Sequence, residues 1–183
     1  NKHDVAIRGA GIVGRSLALS LARLGLRVAL HPDAASHAGA VDVRAYALNA
    51  ASVELLRGLK VWDALPARAA TPVYDMQVHG DAPGALLACS AWEQRVGELA
   101  WITDAAVLER ELATAVRFAP HITVTDAAVQ APLLALCEGK ASATRAGLGV
   151  VFERQDYGHT AVAARLTASA PHCGVARQWF VSP

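Results

Sequence analysis

Gly9, Gly11 and Gly14 stand at the spacing G-x-G-x-x-G, in the run Gly9-Ala10-Gly11-Ile12-Val13-Gly14. Glycines so spaced can cradle a pyrophosphate. Gly9 permits a tight turn, Gly11 lets phosphate oxygens reach the backbone, and Gly14 lets a following helix pack closely on the preceding strand. A helix starting at Ile12-Val13 would also aim its free N–H groups and positive dipole end at those phosphates. Other reactive residues are scattered. The sequence shows no Ser-His-Asp set, carboxylate pair or Cys/His cluster, so no catalytic acid, base or metal ligand is assigned.

The elements that must position these glycines are legible around them. Val5–Ile7 reads as a short apolar strand. Leu17, Leu19, Leu21, Ala22 and Leu24 give the next segment a helical apolar face, and Gly25 ends it. Arg27–Leu30 reads as a second strand, which completes a strand-turn-helix-strand unit. In such a unit a carboxylate at the end of the second strand holds a ribose. Here that position carries His31 or Pro32, with Asp33 one step later. Either Asp33 serves after a kink, or His31 and backbone groups hold the ribose. Three spaced glycines also fit a plain strand-to-helix turn with no ligand.

Further along, Pro32–Val43 reads as a loop, and Asn49 or Ser52 can cap a helix running to Arg57 or Leu59. Trp62 reads as a core residue in a turn before Pro66. Val73–His79 alternates as a strand, Gly80–Gly84 as a hairpin turn, and Ala85–Cys89 as its partner. Asp104–Phe118 reads as a helix burying Ala105, Leu108, Leu112 and Val116. His121–Val129 and Pro132–Cys137 read as strands, the first with Ile122 and Val124 inward, the second a continuous apolar run suited to a buried parallel sheet. The space between Val129 and Pro132 is too short for a reversal or crossover, which suggests a missing stretch. Thr160–Thr167 reads as a strand, and Ala176–Phe180 as one more within an antiparallel sheet.

Composition bounds the function. The chain has 183 residues, 54% hydrophobic and 18% charged, with net charge +1; it is globular and no electrostatic nucleic-acid binder. Cys89, Cys137 and Cys173 are odd in number and widely spaced, as expected of reduced packing residues in a cytoplasmic protein. No apolar run is long enough to span a membrane, and no signal peptide is expected.

Four stretches together resemble the FAD-dependent aromatic hydroxylases of the p-hydroxybenzoate hydroxylase type, and most closely their ubiquinone-biosynthesis subgroup. They are Gly9–Gly14; Asp42-Val43-Arg44 with Ala47-Leu48, Leu55-Leu56 and Val61–Leu65; Leu134–Arg145; and Tyr157–Ala164 with Pro171-His172 and Ala176–Phe180. The resemblance implies an α/β fold, a Rossmann-like FAD-binding domain with a parallel sheet over 1–72 and 101–150. It implies part of an antiparallel substrate sheet over 73–100 and 151–183. It implies bound FAD, transient NAD(P)H, and oxygen insertion into a phenolic ring. Gly9, Gly11, Ile12, Val13 and Gly14 would hold the ADP part.

Arg44 would reach the flavin side, an arginine being able to pair bidentately with phosphate; otherwise it forms an ion pair with Asp42. Glu138, in place of the family's Asp, and Gly139 would lie by the pyrophosphate; otherwise Glu138 is a turn carboxylate. Val129 would pack on the adenine or serve as a core valine. A polyprenyl phenol substrate would draw the protein to the inner-membrane surface. The family's later G-D-A-A-H motif does not occur in these residues, so a chain of this extent alone would lack the flavin end of its site and be inactive. Two other classes stay open: an NAD(P)-dependent Rossmann dehydrogenase, and a truncated, non-catalytic nucleotide-binding fragment.

Overall fold

The fold was described from a computed structural model, which covers residues 2–32, 42–127 and 129–180, with the backbone alone at Ala141. Asp33 and most of the loop after Pro32 lie outside the described residues.

The chain begins β1 (Val5–Arg8), α1 (Ile12–Arg23) and β2 (Val28–His31). Then come β3 (Ala45–Leu48), α2 (Ala50–Gly58), β4 (Ala70–Val73), β5 (Asp75–His79), β6 (Leu86–Ser90) and β7 (Ala100–Asp104). It continues through α3 (Ala105–Phe118), β8 (Ile122–Val124), β9 (Leu133–Leu136), the short α4 (Ala143–Gly147) and β10 (Val175–Trp179). The architecture is α/β, with a parallel sheet in the order β8-β2-β1-β9 and two smaller sheets, β10-β5-β6 and β3-β7-β4.

The parallel sheet has two unlike faces because side chains alternate along a strand. Val5, Ile7, Val28 and Leu30 point into a core built with Leu19 of α1, Leu56 of α2 and Leu108, Leu112 and Val116 of α3. The α3 residues that bury are those with helical apolar spacing. Caps are local: Asn49 accepts the Ser52 N–H at 2.9 Å and Asp104 the Val107 N–H at 3.1 Å. Gly25, at φ +82°, follows α1. Trp62 packs against this core and meets Trp101 edge-on, with ring centroids 5.3 Å apart.

Several sequence expectations need correction. The run Val73–His79 is two strands: β4 pairs with β7, β5 with β6, and the break falls at Tyr74. β3 and β7 are strands that alternation did not reveal; both are short, and each is stabilised by an antiparallel partner distant in sequence. No strand forms over 160–167. Its Ala/Val composition favours extended chain, but a strand needs a paired neighbour, and Val162 and Leu166 are exposed. β10 pairs parallel with β5, so its sheet is mixed rather than antiparallel. β9 is parallel to β1 as expected, yet Leu133 and Leu134 are exposed because it forms an edge of the sheet. Val124 is exposed as well, on the opposite edge strand.

β8 ends at Val124 rather than Val129, and a connecting segment precedes β9 at Leu133 on the other edge of the sheet. Val129 of this segment lines a small cleft with Ala6 and Ala29. These alanines pair in register on the face opposite the core.

Candidate nucleotide-binding site

The parallel sheet places its candidate site by topology. The chain leaves β1 toward β2 and β8, then returns to β9 on the other side. Strand order therefore reverses at β1, and the turns beyond the carboxyl ends of β1 and β9 face each other across the gap. In open α/β sheets this is where ligands bind.

The glycine turn is built by steric need. Gly9 has φ +100°, which disfavours any side chain, and a Cβ there would lie 2.3 Å from the Cys137 carbonyl oxygen. Its N–H donates to the His31 carbonyl at 2.9 Å. A Cβ on Gly14 would lie 1.8 Å from the Gly9 carbonyl oxygen, so α1 rests directly on the turn. Gly11 differs: a Cβ there would meet nothing within 4 Å. Ile12 packs against the core, and Val13 is 68% exposed.

α1 has no side-chain cap and no acidic residue in its first turn. Among the described residues the other three α-helices each have a side-chain cap, from Asn49, Asp104 and Ser142. The first N–H groups of a helix have no partner within it, so the end of α1 at Gly11 carries unanswered donors and a partial positive charge. That donor set, with open space over Gly11, fits a pyrophosphate.

Across the gap, Gly139 turns the chain at φ +75°. The Glu138 carboxylate accepts the Ser142 hydroxyl at 2.5 Å and the Thr144 hydroxyl at 2.7 Å. These bonds hold its pKa below the usual range, Ser142 most strongly, against partial burial and with the Arg8 charge assisting. Arg145 holds this turn from outside, donating to the carbonyls of Gly139 at 3.3 Å and Lys140 at 2.8 Å, while its guanidinium sits 4.0 Å over the Phe152 ring.

The remaining predicted residues fall in two places. The Nδ1 of His31 lies 2.8 Å from the Thr125 carbonyl oxygen, and His31 lines one cleft with Arg8 and Val129. Arg44 stands elsewhere. Its Nε and Nη2 donate to the two Asp42 carboxylate oxygens at 2.8 Å each, which raises its pKa. It is linked to α1 through Glu109, whose carboxylate is 3.5 Å from Arg44 and whose carbonyl accepts from Arg15 at 3.1 Å. Arg8, Ser142 and Thr144 were missed from sequence. A cation closing an otherwise apolar strand is the signal that could have found Arg8. Among the described residues no group of three metal-binding side chains converges, and no helix is long and apolar enough to cross a membrane.

The family model described as FAD binding domain matches residues 2–109, more than half of the chain. The chain belongs to that FAD-binding family. It is 34% identical over 125 residues to the 3-demethoxyubiquinol 3-hydroxylase of Escherichia coli K12, covering 66% of this chain and 32% of the relative. It is 26% identical over 204 residues to the ubiquinone hydroxylase UbiL of Rhodospirillum rubrum, covering 97% and 47%. The chain thus spans from a third to about half of these relatives. Among solved structures, P. aeruginosa PqsL superposes with a TM-score of 0.66 at 22% identity, over 85% of this chain and 48% of that one. This likeness shows the fold. The family match takes in the glycine turn and α1 and ends within α3, before the Glu138–Thr144 turn.

Proposed function

We propose that this chain carries the ADP-holding part of a flavin-dependent monooxygenase that hydroxylates a phenolic ring, with a polyprenyl phenol as the substrate class. The observation that carries the reading is the uncapped, acid-free N-terminus of α1 at the strand-order reversal, with open space over Gly11. The names of the two curated relatives support the ring-hydroxylating part. When bound, FAD supplies the oxygen-transfer chemistry, and NAD(P)H serves as its transient reductant.

The protein's own groups bind and orient. N–H groups at the start of α1 hold the diphosphate, and Gly9 and Gly14 fix the distance between turn and helix. The Glu138 carboxylate, kept ionised by Ser142 and Thr144, shapes the opposite wall without donating a proton. The division into an FAD-binding part (1–72, 101–150) and a substrate sheet (73–100, 151–183) belongs to this reading. So does attachment at the membrane surface, where a polyprenyl phenol dissolves; flotation with liposomes tests that part.

The purified chain titrated with FAD and with NADH tests the core of the proposal. Saturable quenching of flavin fluorescence, with no comparable NADH binding, is expected. NADH binding without FAD binding would favour a dehydrogenase. Full-length protein that releases no flavin on denaturation would remove the monooxygenase reading.

A further inference from the structure

Arg8 ends β1 one residue before the glycine turn. Its backbone is fixed from both sides, in register with His31 of β2 and Leu136 of β9. Its carbonyl accepts the Cys137 N–H at 2.6 Å, the last rung before the two turns diverge. Its side chain then bridges the gap: Nη1 donates to the Thr144 hydroxyl at 3.1 Å. That hydroxyl has one proton and gives it to Glu138 at 2.7 Å. A hydroxyl has one donor and two acceptor sites, so Thr144 can serve both partners at once. Ser142 takes the other Glu138 oxygen at 2.5 Å and also caps α4, accepting the Arg145 N–H at 3.0 Å. The result is a continuous chain from the strand below one wall of the crevice to the turn that forms the other.

We infer that Arg8 is a positioning residue for the cofactor crevice: through Thr144 it holds the 138–145 turn at a fixed distance from the glycine turn. The inference rests on reading the crevice as the FAD site. The reason for an arginine is reach and direction. A flexible stem leaves the sheet while a planar guanidinium presents directed N–H groups, and a hydrogen bond from a charged donor is stronger than a neutral one. An apolar residue would leave Thr144 to Glu138 alone and the turn tied to β1 by backbone only. Arg8 also lines the cleft shared by His31 and Val129, so it joins both halves of the site.

The test uses Arg8→Met, Thr144→Val, the double variant and Arg8→Lys. FAD affinity is read by flavin fluorescence, and FAD-free amide hydrogen exchange reads residues 139–145 against α3 as an internal reference. Arg8→Met should weaken FAD about tenfold, the range of one charge-assisted hydrogen bond, and Thr144→Val at least as much, since it also removes the bond to Glu138. The double variant should lose no more than Thr144→Val alone, because the Arg8 contribution runs through that hydroxyl,. Arg8→Lys should recover part of the loss. In FAD-free protein, exchange should quicken over 139–145 and stay unchanged in α3. Unchanged exchange over 139–145, unchanged affinity, or additive losses would overturn the inference. Should Arg8→Met fail to fold, Thr144→Val and Arg8→Lys still decide it. If the parent chain takes no FAD, the cofactor reading falls, while the exchange data still show whether Arg8 holds the turn.

Discussion

Alanine at Gly11 and alanine at Gly14 should have opposite consequences, although both change one glycine of the same motif. Gly11 caps α1 with φ −74° and ψ −171°, a conformation alanine adopts freely,. Its Cβ would meet nothing within 4 Å. Alanine is a poorer cap than glycine by about 0.5 kcal/mol, so the melting temperature should fall only ~1–2 °C. FAD affinity should nevertheless drop, because the new methyl stands where the diphosphate approaches. Losing one charge-assisted hydrogen bond costs ~1.5–3 kcal/mol, about tenfold to a hundredfold in Kd.

At Gly14 the Cβ would sit 1.8 Å from the Gly9 carbonyl oxygen, about 1.6 Å short of the 3.4 Å where ordinary contact begins. Either α1 or the turn must move, and overpacking of this kind costs ~1–3 kcal/mol. The upper end applies because the obstructing atom is backbone. Better helix propensity returns about 1 kcal/mol, which leaves a net loss of ~2 kcal/mol and ~4–8 °C. Circular-dichroism melts of FAD-free protein and flavin-fluorescence titrations separate the cases. If Gly11→Ala melts as low as Gly14→Ala, or binds FAD like the parent chain, the division of labour in this turn is wrong.

Asp104→Ala removes both the α3 cap and the partner of Arg165, which donates to it at 2.6 Å; a loss of ~1–2 kcal/mol is expected by thermal melt, and Asp104→Asn should keep most of the cap. Glu138 has a lowered pKa, so its contribution is complete above the ordinary carboxylate pKa and is lost as pH falls through the lowered one. FAD affinity and stability should therefore hold down to about pH 4.3 and weaken below it, and Glu138→Gln should flatten that acid limb. Arg44 is 44% exposed on the side chain beside Asp42, and such ion pairs contribute under ~1 kcal/mol. Arg44→Ala should leave the melting temperature within about 3 °C; weakened FAD binding is the outcome expected if the family resemblance holds at this residue, and unchanged affinity would leave it the surface ion pair with Asp42 that the structure shows.

The local parts of the fold were legible because local forces set them. The β1-α1-β2 unit, a cap for α2 at Asn49 or Ser52, of which the structure uses Asn49, and the buried stripe of α3 follow from spacing, capping chemistry and periodicity within a dozen residues,. The strands that were misjudged depend on distant partners. β3 and β7 exist because they pair with each other, while 160–167 has strand composition but no neighbour to pair with.

The same division runs through the site. The glycine spacing is legible in sequence, and its reasons differ by position: Gly9 needs a positive φ and a vacant Cβ position, Gly14 a vacant Cβ position, and Gly11 leaves its surface open,. The sequence by itself marked the start of α1 as the place suited to a phosphate-bearing nucleotide. Only the tertiary structure decided what stands opposite. Residues 8 and 144 are remote along the chain and meet only because β9 returns beside β1. No spacing rule encodes a contact made by strand order. The partner of the glycine turn, and with it the width of the crevice, is therefore a property of the folded sheet.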